Sequence, residues 1–411
     1  RHGPEFHYAL SALNRNEKGG WSMETPPPSI DATGAAIVTG AMDNPLDGWP
    51  NDDLLLGERH RAFIQRSVPD VFPLLDWPEL RALFSQHDHP AGHFRKRSRR
   101  AGLAAVALGY ASLLLAAFSP LVTDMLGIES EALRRHVGLL ICGLALAGGV
   151  LGYALILFGK ARRHWLTHRF WTERIRQFNF QFILNNLPLA ADILTKRKTI
   201  ASWREAQARS IDALQNEYLA PLTDAMNRMS QDIADTSPWI LPHWNKPKIL
   251  QADADALAPL LVVLGKQRID VQRRYTALKM KPGFHSPPSR KRFINVASDV
   301  LTITALLCAA GTGYLLMSGH AIDSMALKLV AAISGAVSGL IISLRACNDG
   351  LQLGEESERF EWYAAAIDSV SDRFHEADND GKVDLLAELE NLSYQELRRF
   401  IASFMKSRFV V

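Results

Sequence analysis

Cysteine is scarce in this chain: Cys142, Cys308 and Cys347 are all there is, and no CxxC spacing occurs. That excludes a disulfide framework and a zinc knuckle, and it fits a reducing side for the parts outside the apolar runs. Net charge is scarce too. Forty-six Lys and Arg stand against 43 Asp and Glu, leaving +3, so bulk charge points to no nucleic-acid partner. A Walker loop, GxSxG and HExxH are all missing, and with them the signatures of a phosphate cradle, a nucleophile elbow and a zinc-protease helix. The expectation is a chain that is not an enzyme, with no catalytic residue, no metal and no cofactor. Runs with strand alternation are nearly absent and no cleavable secretory signal is visible. An all-α fold is what remains.

Long apolar runs are abundant. The composition, 47 % hydrophobic and 22 % charged, would suit a soluble protein, but the apolar residues are concentrated in four runs with the charges between them. The best patterned stretch is Phe293 to Leu344. It holds FINVASDVLTITALLCAAGTGYLLM, a break at Ser318–Met325, and ALKLVAAISGAVSGLIISL. Each run is long enough, or nearly so, to cross a hydrocarbon core of about 30 Å. Ser-Arg-Lys-Arg precedes the first run and Arg345 follows the second, while the break holds no Lys or Arg. Basic residues outside both ends predict a membrane hairpin over 293–317 and 326–344 with both ends cytoplasmic.

An earlier copy of the plan occupies 95–187. RKRSRR at Arg95–Arg100 leads into a run over 101–118 that Ser119-Pro120 should end. A second run covers 137–158, contains no charged residue, and is followed by Lys160, Arg162 and Arg163. Arg134 and Arg135 in the connecting loop oppose the topology only weakly. The basic clusters read as topology signals and headgroup contacts. The helix after the second run, RRHWLTHRFWTERIRQF, carries Trp165 and Trp171 where membrane-interface anchors would stand.

The remainder divides by composition. Residues 1–51 read as a disordered leader, a tag or an upstream remnant, because the chain opens on Arg1 and is rich in Pro and Gly up to Trp49. Residues 52–94 predict short cytoplasmic helices, closing on HDHPAGH. There His87, His89 and His93 hint at a metal, while Pro90 and Gly92 should break the helix into a solvated linker. Residues 188–261 read as a cytoplasmic helical connector, and 262–411 as the second hairpin with its flanking cytoplasmic helices. Glu376, Asp378, Asp380 and Asp384 imitate a calcium loop, but Ala387 stands where the bidentate Glu belongs, so a turn with a helix cap is expected.

Within the spans, Thr304, Cys308 and Thr312 fall at i, i+4 and i+8 on one face. In the fourth run Gly335, Gly339 and Ser343 form a small-residue ridge, with Ser334 and Ser338 beside it. Small ridges let helices approach closely and hydroxyls bond across them, so tight packing is one reading; a hydrophilic path in an oligomer is the other. Asp299, two turns into the third run, is either functional or an interfacial residue paired with Lys291 or Arg292. Lys328 can snorkel to the interface. Gly148 and Gly152 form a GxxxG pair, a helix contact.

RIDVQRRYTALK before the second hairpin and ERFEWYAAAIDSV after it give the second half its character, and RRHWLTHRFWTERIRQF places the first half on the same layout. Over 95–185 and 262–405 the chain resembles the bacterial SLATT family and related two-helix membrane domains. The resemblance implies a membrane effector of bacterial conflict systems, one that assembles and permeabilises the inner membrane on a signal. It implies a homo-oligomer in the bilayer, and a nucleotide signal or a nucleotide-sensing or nucleotide-producing partner. The chain departs from that pattern in carrying two hairpins and no recognisable sensor. A non-conducting scaffold that docks a cytoplasmic partner, or a housekeeping ion channel, are the competing expectations.

Overall fold

A computed structural model describes residues 53–125, 130–157, 161–219, 237–240, 251–281, 286–319, 321 and 324–406. Among them there is no strand. The helices are α1 Glu58–Ser67, α2 Phe72–Leu75, α3 Pro78–Met125, α4 Glu131–Leu157, α5 Ala161–Asn185, α6 Leu187–Leu194, α7 Ile200–Ala213, α8 Gln251–Leu264, α9 Val271–Met280, α10 Pro287–Met317, α11 Met325–Leu351, α12 Leu353–Glu376 and α13 Asn379–Lys406. Two π-helical turns, Leu214–Leu219 and Gly265–Asp270, extend α7 and join α8 to α9. The leader at 1–51 and the segments around Pro221 and Trp244 lie outside the described residues.

The chain forms two compact units. The first comprises Arg1–Gly92, Thr167–Lys279 and Arg359–Arg399; the second comprises His93–Leu166, Met280–Glu358 and Phe400–Val411.

The first unit has an aromatic core. Trp77 lies 4.7 Å from Phe182 and 5.6 Å from Phe178, and Phe182 meets Trp203 edge-on at 5.1 Å. The Trp203 indole N–H donates to the Leu74 carbonyl at 3.1 Å, which lets a wholly buried tryptophan keep its polar atom satisfied. Helices α12 and α13 are joined by Arg373 to Glu388 at 2.6 Å, and by the Tyr363 and Ser393 hydroxyls at 2.9 Å. The acidic turn before α13 is a cap: the Gly381 N–H donates to Asp378 Oδ1 at 2.8 Å.

The second unit is apolar on the outside. Among the described residues four helices are long and apolar enough to cross a membrane, within Pro78–Val122, Glu131–Leu151, Pro287–Met317 and Met325–Glu376, and at most 17 % of each apolar window is buried. Leu139, Leu146, Leu307 and Tyr314 are all more than 60 % exposed, which water would not tolerate in such density.

Two sequence expectations change here. HDHPAGH is no linker: α3 runs unbroken through Pro90 and Gly92, with Ala91 buried beneath. A proline removes one backbone donor and strains one turn, and neighbouring turns carry a helix of this length past it. Ser119-Pro120 does not end the helix either, since α3 continues to Met125.

Candidate functional site

Glycines set how the apolar helices meet. A Cβ on Gly148 of α4 would stand 2.8 Å from the Ser112 hydroxyl of α3 and close to Leu108. On α11, a Cβ at Gly335 would fall 3.0 Å from the Ala117 Cβ, and one at Gly339 would fall 3.2 Å from the Leu113 Cβ. Thus α3 is flanked by α4 on one side and by α11 on the other, and α10 packs along α11. Gly152 lies in α4, and its surroundings are outside the described residues. One ion pair adds to this contact: Lys328 Nζ lies 2.5 Å from Asp124 Oδ2, both three-quarters buried. Lys328 is thus paired with a carboxylate of a neighbouring helix. It ties the first residues of α11 to the end of α3.

The hydroxyls of the predicted ridge turn back on their own helices. Thr304 donates to the Val300 carbonyl at 2.9 Å, Thr312 to Cys308 at 2.9 Å, and Ser343 to Gly339 at 2.8 Å. Cys308 and Ser334 are half-buried and Ser338 is exposed. Back-bonding satisfies each hydroxyl without a partner helix or water. Asp299 is exposed on α10 and pairs neither with Lys291, which reaches Glu358 at 3.8 Å, nor with Arg292. Trp165 and Trp171 are 4 % and 2 % exposed, so neither is an interface anchor. Trp165 meets Phe400 and Phe404 edge-on, at 5.7 and 5.0 Å.

A second constellation, in the first unit, is absent from the sequence reading. Asp53, Glu173, Arg174, Arg176, Arg268 and Glu390 form a buried charge cluster. Arg176 Nε donates to Asp53 Oδ1 at 2.9 Å and Arg176 Nη1 to Glu173 Oε2 at 2.7 Å. Arg268 donates through Nε to Glu390 Oε1 at 2.7 Å and lies 3.4 Å from Asp53 Oδ2. The Asp53 carboxylate is thereby shared between two guanidinium groups. Arg174 relies on neutral acceptors, the Tyr218 hydroxyl at 2.8 Å and the Ser237 and Pro238 carbonyls at 2.8 and 3.0 Å, with the Tyr394 ring 4.6 Å away. Each π turn supplies one member, Tyr218 or Arg268. Such wide turns point side chains where an α-helix would not.

Burial acts against the charges of Glu173, Arg176, Arg268 and Glu390, and partners decide the outcome. Burial raises the Glu173 pKa, but Arg169, Arg176 and Arg268 outweigh it and hold the group down at about 2. For Glu390 burial wins over the attraction of Arg268, and the pKa moves up. Burial disfavours the Arg176 and Arg268 cations; Asp53 and Glu173 more than offset it at Arg176, and Glu390 leads the offset at Arg268. The Glu390 Oε2 atom has no hydrogen-bond partner among the described residues. The gap beside it, lined by Phe180, Leu184, Leu264, Arg268, Leu386 and Glu390, is too tight for a water molecule. That gap leaves no room for a ligand at Glu390. The warning in the sequence is the α5 stretch FWTERIRQFNFQF, whose aromatic residues spread over more than half of the helix circumference and flank Arg174.

The described histidines do not gather around a metal. Among the described residues no group of three or more His, Cys, Asp or Glu could hold one. His87 Nδ1 faces His168 Nδ1 at 3.2 Å, with ring centroids 5.4 Å apart. The centroid distance is nearly the N···N distance plus two ring radii, so the nitrogens meet head-on. That is the geometry of an N–H···N hydrogen bond, in which one ring donates and the other accepts. Comparison with protein-family models, with curated proteins and with solved structures finds no match.

Proposed function

We propose that this chain is a membrane effector: four crossings in two hairpins, both ends on the cytoplasmic side of a bacterial inner membrane, and self-assembly in response to a signal that permeabilises the bilayer. The observation that carries this reading is the outward apolar surface of α3, α4, α10 and α11, which needs lipid or a second chain against it. The basic residues at 95–100, 162–163 and 290–292 supply the orientation. The pattern-level resemblance to the SLATT family supplies the effector role, bacterial defence as its setting, and a nucleotide or nucleotide-handling partner as the trigger. A path for ions would form between copies, because within one chain the Thr304, Thr312 and Ser343 hydroxyls are closed on their own carbonyls.

The same back-bonding favours a second reading, a non-conducting scaffold that docks a cytoplasmic partner through the first unit. Dye release from vesicles carrying the purified full chain, with and without candidate nucleotides, separates the two. Release on one of these triggers supports the effector. Intact vesicles under every trigger, together with a stable complex to a soluble protein, support the scaffold and defeat the effector.

A further inference from the structure

Two opposite charges on the apolar helices stand without a partner. Asp299 is exposed on α10, Arg345 is exposed on α11, and neither has a hydrogen bond or ion pair among the described residues. They lie at nearly the same depth. At about 1.5 Å per residue, Asp299 is about 27 Å from the Met317 end of α10, and Arg345 is about 30 Å from the Met325 end of α11. A carboxylate and a guanidinium at the edge of a hydrocarbon core are costly unless each finds an opposite charge or water. Two other charges of this unit do have partners: Lys328 holds Asp124 and Lys291 holds Glu358.

The helix face around Asp299 is also shaped for a neighbour. Asn295, Asp299, Thr302, Leu306, Ala309 and Gly313 recur at helical spacing and are all exposed. A Cβ on Gly313 would meet nothing within 4 Å, so this seam is open in the single chain. A face that is polar at one end and small at the other is what a close-packed helix in a bilayer requires. The opposite charge sits on a different helix of the same unit. Asp299 of one copy can therefore meet Arg345 of the next while its own Arg345 meets the copy behind, a head-to-tail contact that closes into a ring. Arg292 suits the role less well, as it lies about two turns nearer the water on Asp299's own helix.

We propose that this seam is the contact between copies of the chain, with Asp299 of one copy paired to Arg345 of its neighbour. The inference rests on the membrane reading above, and its test reads assembly independently of leakage. The full chain is placed in lipid nanodiscs or vesicles, and copy number is read by native mass spectrometry or amine cross-linking. Asp299→Arg alone and Arg345→Asp alone each reduce the oligomer about tenfold or more, and the double reversal restores it at unchanged helix content. Where a reversal fails to fold, Asp299→Asn keeps the size, removes the charge and gives the same loss. A monomeric wild-type chain overturns the pairing. So do single reversals that assemble like wild type, and a folded double reversal that stays monomeric. A chain that assembles through this pair but never releases dye contradicts the effector reading and leaves the contact standing.

Discussion

Asp53 does more for the first unit than its place at the edge of the described chain suggests. Its side chain is fully buried, and it follows that Leu54 and Leu55 are drawn inside with it, Leu55 at the left-handed φ of 55°. One carboxylate here answers two guanidinium groups, so removing it leaves buried charge without compensation. Asp53→Ala should destabilise the first unit by about 3–5 kcal/mol, read as a lower midpoint of cooperative unfolding in detergent. An unchanged midpoint would mean that Arg176 and Arg268 find water instead. The paired imidazoles give a pH dependence of definite sign. Burial, and then the nearby His168, lower the His87 pKa to about 4, against an unfolded value near 6.5. Between these values the unfolded chain binds the extra proton, so stability is complete above about 6.5 and declines as pH falls towards 4. His87→Gln should flatten that part of the stability profile, and a profile as steep as wild type would show that other groups cause it.

At the scale of elements, the contact between α3 and α11 ties the two apolar pairs together. With the native cysteines replaced by serine, Ala117→Cys and Gly335→Cys should form an intramolecular disulfide under mild oxidation, because the Cβ positions fall 3.0 Å apart, near enough for bridging after a small adjustment. Failure to cross-link in a folded chain would separate α11 from α3. Most elements were legible in the sequence. The four apolar runs are unambiguous because uninterrupted apolar length is a strong signal, and the small residues at 148, 335 and 339 pointed to close approach. Element ends were not legible. Pro90, Gly92 and Pro120 look like breakers, yet α3 has enough turns on either side to absorb them. The π turns left no trace either, since their extra residue is dictated by what packs on them: the Phe374 ring occupies the space beside Gly265.

At the scale of the molecule, the two units show why one half of the chain reads easily and the other does not. In the second unit, the environment of each residue follows from its position along an apolar run. In the first, side chains far apart in sequence decide one another's fate: Asp53, Arg176, Arg268 and Glu390 come from four separate stretches. Charge that looks solvated along α5 and α13 is closed in by helices that the local pattern cannot anticipate. Arg345 and Asp299 are the reverse case, charges that the fold of one chain leaves open. The whole account stands on the four helices crossing a bilayer with both ends on one side. Labelling of single cysteines in intact spheroplasts with a membrane-impermeant maleimide tests that most directly. In a chain whose native cysteines are replaced by serine, Ser324→Cys should react from outside, whereas Glu58→Cys and Glu376→Cys should react only after lysis. Labelling of Glu58→Cys or Glu376→Cys in intact cells, or protection of Ser324→Cys until lysis, would contradict the account.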